Sequence, residues 1–401
     1  YQNAIDYYDK AFAVNPSVKT LRERATAVQR SGKPEATLAA FKLILSKYPD
    51  SSQAHSAWRG LASALWDMGK KDDYVKTTEE MLKKFANDVN DWWSYGHKLR
   101  EMKRWVRALE VYDHITKNWS TWDIGDVYVH KSWVFCNHFD DAMARSAAAE
   151  KEKRSDVAAK AKTEAQQAIQ EATAPLQPIF TKWKGHIDPN VKALWHLGYE
   201  VHFLRSKNYD EAIKNFQRLI SNYQNQQRAN KDHSIRWLVE SHLAKSKSLD
   251  GAAQFVSRVL KKDPYSENMR QGIAYLMSRY NQRNEYQKVI ALARGVLDFR
   301  QSGYGEAWTL LYLGDAYGGS AAQKGAKNVA SLHQKQLEVF ARLDTYRKNS
   351  SYSSIHSTID SRRNSVIKPL LRAQSYEIES PKESRLKIDK EGESDETWAT
   401  G

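Results

Sequence analysis

A pattern of small and large apolar residues recurs about every 34 residues, and it constrains the fold of this 401-residue chain more than any other feature. Its fullest copy begins Trp92-x-x-Tyr95-Gly96-x-x-Leu99. The second half of the copy contributes Ala108, Tyr112 and Ile115. Spacings of three and four residues place such side chains on one face of a helix. One copy therefore predicts two antiparallel helices, here called helix A and helix B, joined by a turn.

Three shorter copies precede this one. Residues 1–16 match helix B alone and end at Pro16, whose missing backbone N–H stops a helix. The next copy runs from about Lys19 to Pro49 and turns at Gly32, and another begins at Trp58 and turns at Gly69. Because the first copy lacks its helix A, we expect an upstream segment or a partner to cover the apolar face of residues 1–16.

The pattern returns at Asn190 after an interruption. Helix A of this copy contains Trp195, Gly198 and Phe203, and it is about two residues longer than the pattern allows. We therefore expect a distorted helix there. Further copies follow to about residue 347, and the last has a long turn predicted over residues 318–328.

Two stretches lack the pattern. Residues 119–189 predict irregular helices, including a long, well-exposed one rich in Ala, Lys and Glu that breaks near Arg154. Residues 348–401 contain few apolar side chains and predict an extended or flexible tail, which could lie along a partner. We therefore expect four segments, with bounds 1–118, 119–189, 190–347 and 348–401.

The copies resemble the tetratricopeptide-repeat superfamily over roughly residues 1–118 and 190–345. The resemblance implies an all-α solenoid, a right-handed superhelix of helix pairs. It also implies a non-catalytic scaffold that binds other proteins, as a subunit of a larger assembly. The phrases Leu45-Ser46-Lys47-Tyr48-Pro49 and Leu219-Ile220-Ser221-Asn222-Tyr223 are similar to repeat ends of bacterial envelope proteins. The resemblance thus favours the bacterial periplasm or cell envelope, with the cytoplasm as the alternative.

In such repeats helix A lines the concave side, which is where partner segments bind. The repeat register assigns nine residues to this groove: Arg22, Thr26, Gln29, Arg59, Ser63, Trp66, Trp93, His97 and Arg100. Arginine forks and tryptophan rings suit an extended acidic or aromatic segment. A generic polar face is the other interpretation. The family's carboxylate clamp uses Lys and Asn in the groove, so its specificity for chaperone tails is not expected here.

Motifs for catalysis or cofactor binding are not found in the sequence, so no catalytic residue, cofactor or metal is expected. Cys136, His138, Asp140 and Asp141 lie close in sequence, but on a helix they point in different directions. His196 and His202, six residues apart, are poorly spaced for one metal ion. Cys136 is the only cysteine, so an intramolecular disulfide is impossible.

Two other functions remain open. The net charge of +14 is compatible with a helical-repeat protein that binds or processes RNA, and Trp92-Trp93-Ser94-Tyr95 also resembles the half-a-tetratricopeptide class of RNA-processing assemblies. The basic stretch 342–372 could bind an anionic membrane surface. No stretch of about 18 apolar residues suggests a membrane span.

Overall fold

The computed structural model describes residues 1–120, 125–223, 231–262, 267–297 and 304–347, together with 357–358 and 360–362. These residues form helices and turns, and no strand occurs among them. The chain divides into two compact units, Tyr1–Pro189 (unit 1) and Asn190–Gly401 (unit 2). The all-α fold of stacked helix pairs is thereby confirmed. Most of the predicted tail lies outside the described residues.

Helix pairs with the predicted order make up unit 1. The helices are α1 (Gln2–Val14), α2 (Val18–Arg30), α3 (Pro34–Lys47), α4 (Ala54–Asp67), α5 (Lys71–Lys84), α6 (Val89–Glu101), α7 (Trp105–Asn118), α8 (Gly125–Lys151), α9 (Ser155–Glu171) and α10 (Gln177–Lys182). A short 3₁₀ helix, Ala174–Leu176, precedes α10. Helices α2, α4 and α6 are A helices, and α1, α3, α5 and α7 are B helices.

The turn between helix A and helix B needs one residue in the left-handed backbone region. Gly32 (φ 73°) and Gly69 (φ 71°) supply it in the first two complete repeats, as the sequence predicts, and Lys103 (φ 59°) supplies it in the third. Glycine adopts this conformation without a steric cost, whereas another residue costs about 1–2 kcal/mol.

A glycine on helix A lets the aromatic ring of its own helix B pack directly against the backbone. A Cβ atom on Gly96 would lie 2.7 Å from the Tyr112 ring, and one on Gly314 would lie 2.9 Å from the Phe340 ring. Tyr112 and Phe340 are among the largest fully buried side chains. The close approach explains why the repeat pattern pairs a small residue on helix A with a ring on helix B.

Helices α8 and α9 are mostly exposed over residues 140–171, as the composition predicts, but they show one feature that it did not predict. The chain does turn at residues 152–154, near the predicted break, but the two helices then pack against each other. Their contact is made of small side chains, and it buries Ala142, Ala149, Ala161 and Ala165. Alanine contributes little apolar area, yet it allows two helices to approach closely. The composition therefore did not indicate that these two helices pack against each other.

The boundary between the two units falls inside the helix Ile187–His196, and the helices of unit 2 follow it. They are α11 (Ile187–His196), α12 (Tyr209–Tyr223), α13 (Lys231–Ser246), α14 (Asp250–Lys262), α15 (Glu267–Gln282), α16 (Tyr286–Leu297), α17 (Tyr304–Ala322) and α18 (Val329–Arg347). Helix α11 continues as a π-helix, Leu197–Arg205, which confirms the predicted distortion. A π-helical stretch accommodates extra residues within one helix.

The long turn predicted over residues 318–328 is wrong in its first half. Helix α17 continues to Ala322, so Gly318 and Gly319 are helical. A Cβ atom on Gly319 would lie 2.3 Å from the Tyr286 ring, so this glycine serves close packing rather than a turn.

Helix α1 packs on α2 but has no buried residue. Tyr7 is 68% exposed and Val14 is 87% exposed. The expectation that another segment covers this helix stays a prediction. Among the described residues, no helix combines the length and the apolar character that a membrane span requires.

Candidate functional site

The nine predicted groove residues lie on three consecutive A helices of unit 1. The Gln29 amide Nε2 lies 3.5 Å from the Ser63 Oγ, which joins α2 to α4. Arg100 donates from Nη1 to His130 Nδ1 at 3.1 Å, which joins α6 to α8. Thr26 instead donates its hydroxyl to the Arg22 carbonyl oxygen at 2.9 Å, within its own helix. The predicted residues therefore form a row along the helix A surface.

The centre of this row opens into a cleft of about 670 Å³ between α4, α5 and α6. Three predicted residues line it: Arg59, Ser63 and Trp66. Its buried part is made by the largely apolar side chains of Ala62, Tyr74 and Met81 and by the polar Thr78. Its polar part is made by Asp67, Asp88, Asn90, Asp91, Ser94 and Lys98. Concave sites that combine apolar walls with a few polar groups are those that proteins use to bind ligands.

Asp91 is the central acceptor of an ion cluster at one end of the cleft. Its side chain is 6% exposed, and it accepts from His55 and from Arg59, whose Nε lies 2.6 Å from Oδ1. Arg59 also donates to Asp88. The Asp91 carboxylate, opposed by burial, raises the pKa of Arg59. Arg59 thus already binds two carboxylates of its own chain, so few of its guanidinium N–H donors remain for a partner.

The same cluster has the side-chain chemistry of a metal site. Ligand atoms of His55, Asp88 and Asp91 all lie within 4.8 Å of one another. However, the Arg59 guanidinium binds both carboxylates, and its positive charge satisfies them. A divalent cation would have to displace it. We therefore interpret the group as an ion-pair cluster that fixes α4 against α6.

Aromatic rings form the wall at the other end of the cleft. Trp66 and Tyr74 meet edge to face, with centroids 5.2 Å apart. Lys98 Nζ lies 4.0 Å from the centroid of the Trp66 ring, a distance at which a cation is attracted to the ring. Burial raises the pKa of Tyr74 to about 12, so its hydroxyl stays protonated.

The net charge of the cleft changes the expected ligand. Burial alone would raise the pKa of Asp88, but the Asn90 backbone amide and Arg59 outweigh it and hold that pKa below its ordinary value. Three carboxylates, with Asp67, face two cations, Arg59 and Lys98. The cleft therefore does not favour an acidic segment. It suits an aromatic or uncharged polar side chain beside Trp66.

The three predicted residues on α6, namely Trp93, His97 and Arg100, lie against α8. Arg100 donates to Nδ1 of both His97, at 3.3 Å, and His130. Burial and the Arg100 charge lower the pKa of His97. Trp93 contacts both imidazoles, with centroids 5.6 Å and 4.8 Å away. This part of the predicted groove therefore serves as a contact with the next helix.

Five residues of the cleft and its ion cluster were not predicted as site residues: His55, Tyr74, Asp88, Asp91 and Lys98. The sequence signal that could have identified them is a pair of side chains, one a donor and one a carboxylate, about one repeat apart. Arg59 and Asp91 are 32 residues apart, and His55 and Asp91 are 36 apart. Because successive A helices stack, such pairs come within bonding distance.

The residues around Cys136 have separate partners. Cys136 is buried, His138 lies 2.5 Å from the Glu164 carboxylate, and Asp141 pairs with Lys103. In unit 2, His196 is buried at 1% exposure, and His202 lies 3.4 Å from the Ser206 hydroxyl.

Comparisons with known proteins agree with the repeat pattern. Residues 192–225 match the family model of the tetratricopeptide repeat. No curated protein matches the chain.

Three solved structures illustrate the structural likeness. A tetratricopeptide repeat protein from Parabacteroides merdae is 11% identical, with a TM-score of 0.37, and the match covers 75% of this chain and 98% of that one. The TPR domain of P58(IPK) is 11% identical, with a TM-score of 0.28 and coverage of 88% and 98%. Yeast Tom70 is 8% identical, with a TM-score of 0.27 and coverage of 87% and 96%.

Proposed function

We propose that this chain, whose fold is that of the tetratricopeptide-repeat superfamily, is a non-catalytic scaffold that holds a partner polypeptide on the helix A surface of unit 1. Scaffolding of other proteins is the general role of such repeats. The cleft bounded by Ser63, Trp66 and Ser94 supports the finer proposal, because it combines an aromatic wall with a polar margin. An extended segment would place an aromatic or uncharged polar side chain there. The chain would act as one subunit of a larger assembly.

The supporting observation is that the cleft is built from three helices fixed against one another. Arg59 and Asp91 join α4 to α6, and Tyr95 donates to Glu79 at 2.7 Å, which joins α6 to α5. Such fixed walls keep the cleft open without a partner, which reduces the entropy that binding must overcome.

A substitution that fills the cleft tests the proposal. Ser94 is exposed and lines the cleft, so Ser94→Arg adds volume there without removing a packed side chain. We expect the variant to retain at least about tenfold less of its specific partner in quantitative affinity purification, since a central contact carries much of the binding energy.

The matched control is Lys76→Ala on the exposed side of α5, which should retain the partner fully. If Ser94→Arg retains as much partner as the unmodified chain, the cleft is not the binding site. If the retained material is RNA and is lost steeply with added salt, the RNA-binding alternative applies instead.

The basic stretch 342–372 offers less free charge to a membrane than its sequence indicates. Arg342 pairs with Glu306, and Arg362 lies 3.3 Å from Asp315. Both arginines are thus partnered within unit 2. The envelope location stays part of the proposal, and fractionation of cells that express the chain tests it.

A further inference from the structure

Arg100 differs in its partners from the other two arginines of the predicted groove. Arg22 and Arg59 each pair with at least one carboxylate of the chain. Arg100 forms no ion pair with a carboxylate among the described residues, and it donates instead to the imidazoles of His97 and His130. The chain therefore supplies carboxylate partners to two of these guanidinium groups and leaves the third without one.

The surroundings of this arginine are fixed by contacts between α6 and α8. We call Trp93, His97, Arg100 and His130 the Arg100 cluster, and all four are half-buried. The two imidazoles meet edge to face, with centroids 4.4 Å apart, and Trp93 contacts both. The cluster is thus held in place by ring packing, and it is also partly open to solvent, as a binding site requires.

Nearby charges do not neutralise the cluster. Lys98 Nζ lies 3.0 Å from the Glu101 carboxylate, so these two neighbours on α6 offset each other. Burial and the Arg100 charge lower the pKa of His97, which indicates that the charge of Arg100 is felt by its neighbours. A half-buried charge without a counter-ion costs free energy, and a bound anion would offset that cost.

The guanidinium of Arg100 retains donors for such an anion. An arginine has five N–H groups, and the two imidazoles accept from only two of them. The others can donate in parallel to two oxygens of a carboxylate or a phosphate group. The Tyr112 ring, 6.3 Å from the His130 ring, has a buried hydroxyl without a hydrogen-bond partner among the described residues. The polar groups of this region are therefore not all satisfied within the chain.

We infer that the Arg100 cluster binds an oxyanion, namely a carboxylate or phosphate group on a side chain of the partner polypeptide. The assignment of this anion to a polypeptide rests on the proposed function. Helix α6 supplies Ser94 and Lys98 to the cleft as well as three members of the cluster, so the two sites adjoin. The partner segment places an aromatic or uncharged side chain beside Trp66 and an anionic one at Arg100.

Small oxyanions test the site on the full chain without a partner. In a chain with isotope-labelled histidine, the NMR signals of His97 and His130 are assigned with the variants His97→Asn and His130→Asn. Inorganic phosphate and acetate should each shift both signals, and sodium chloride of equal ionic strength should not. The shifts are expected because an anion at the guanidinium lies beside both imidazoles.

Two substitutions of Arg100 and a matched control follow the same signals. Arg100→Gln should weaken the binding of both anions at least about tenfold, because a hydrogen bond to a charged group is lost. Arg100→Lys keeps the charge but not the fork, so its affinity should be intermediate, and it decides if circular dichroism shows that Arg100→Gln misfolds. Arg22→Gln, which removes an arginine that already pairs with Glu23, should bind as the unmodified chain does.

Peptides of one length identify the anionic group. A glycine-serine peptide with one central glutamate and the same peptide with one central phosphoserine are compared with the unmodified peptide. At least one of the anionic peptides should shift the two histidine signals at a concentration at least about tenfold lower than the unmodified peptide. The tighter of the two identifies the group as a carboxylate or a phosphate.

Several results would overturn the inference. They are the absence of a shift with either small anion, full binding by the folded Arg100 variants, and equal binding of the three peptides. Tighter binding of an oligouridine than of both anionic peptides would also overturn it, since the anion would then belong to a nucleic acid. None of these results decides the proposed function, because partner retention by the Ser94→Arg chain depends on the cleft.

Discussion

Asp91 is the residue on which the shape of the unit 1 cleft most depends. Its carboxylate is nearly buried and accepts from both His55 and Arg59. Asp91→Ala removes the nearly buried, charged acceptor that these two side chains share, although Arg59 keeps Asp88. We expect the free energy of unfolding of unit 1 to fall by about 1–3 kcal/mol. Urea unfolding followed by circular dichroism measures this change.

An exposed ion pair in the same unit provides the control. Asp72 is 80% exposed and pairs with Arg104 across α5 and α7. Solvent screens such a pair, so Asp72→Ala should cost less than about 1 kcal/mol. Equal losses in the two variants would show that the Asp91 cluster is an ordinary surface contact.

His97 predicts a dependence of stability on pH. Its pKa lies below the ordinary value of 6.5, because burial and the Arg100 charge disfavour the imidazolium. The unfolded chain therefore binds a proton more readily than the folded chain, and His97 makes unit 1 less stable as the pH falls through about 6.5.

His97→Asn keeps an acceptor for Arg100 but cannot titrate. Between about pH 7.5 and about pH 5.5, the urea midpoint of this variant should fall less than that of the unmodified chain. A parallel fall in both proteins would exclude His97 as a source of the dependence.

For single residues, the sequence predicted where side chains lie on the helices better than which groups they bind. The repeat register placed Arg59 and Trp66 on the helix A surface, where they are found. It did not predict that Arg59 binds Asp88 and Asp91, because those contacts depend on how closely two repeats stack. The separation of Arg59 and Asp91 by about one repeat was the sequence signal that indicated this contact.

At the scale of the helix pair, glycine on helix A determines how closely the helices pack. Gly314→Ala would place a Cβ atom 2.9 Å from the Phe340 ring, which is fully buried and cannot move freely. We expect unit 2 to lose about 1–3 kcal/mol of stability, although alanine favours a helix. Thermal or urea unfolding of the full chain measures the loss.

The matched control is Gly295→Ala in α16 of the same unit. A Cβ atom there would meet nothing within 4 Å. The substitution should therefore stabilise unit 2 by about 0.4–1 kcal/mol. Destabilisation by both substitutions would mean that packing against Phe340 is not the reason for the glycine.

Helices α8 and α9 show what the composition could not predict. Ala-rich sequence correctly indicated helix, since alanine has the highest helix propensity. Their mutual packing was missed because alanine gives no strong apolar stripe, although Ala161 and Ala165 are buried. In contrast, the turns at Gly32 and Gly69 could be predicted directly, because the backbone there has a positive φ angle that glycine adopts more readily than other residues.

At the scale of the molecule, the two units present chemically different helix A surfaces. Unit 1 has a cleft with an ion cluster and a tryptophan wall, whereas unit 2 packs the half-buried rings of Tyr199, Phe203 and Trp237 against one another.

The most direct test of the scaffold proposal is site-specific photo-crosslinking from the cleft. A photoreactive amino acid at Ser94 in unit 1 should crosslink to one contiguous segment of a single protein, identified by mass spectrometry. The same group at Lys76, on the exposed side of α5, should not, and Trp66→Leu should reduce the Ser94 product. Equal crosslinking from both positions, or none from Ser94 in cells that contain the native partners, would contradict the proposal.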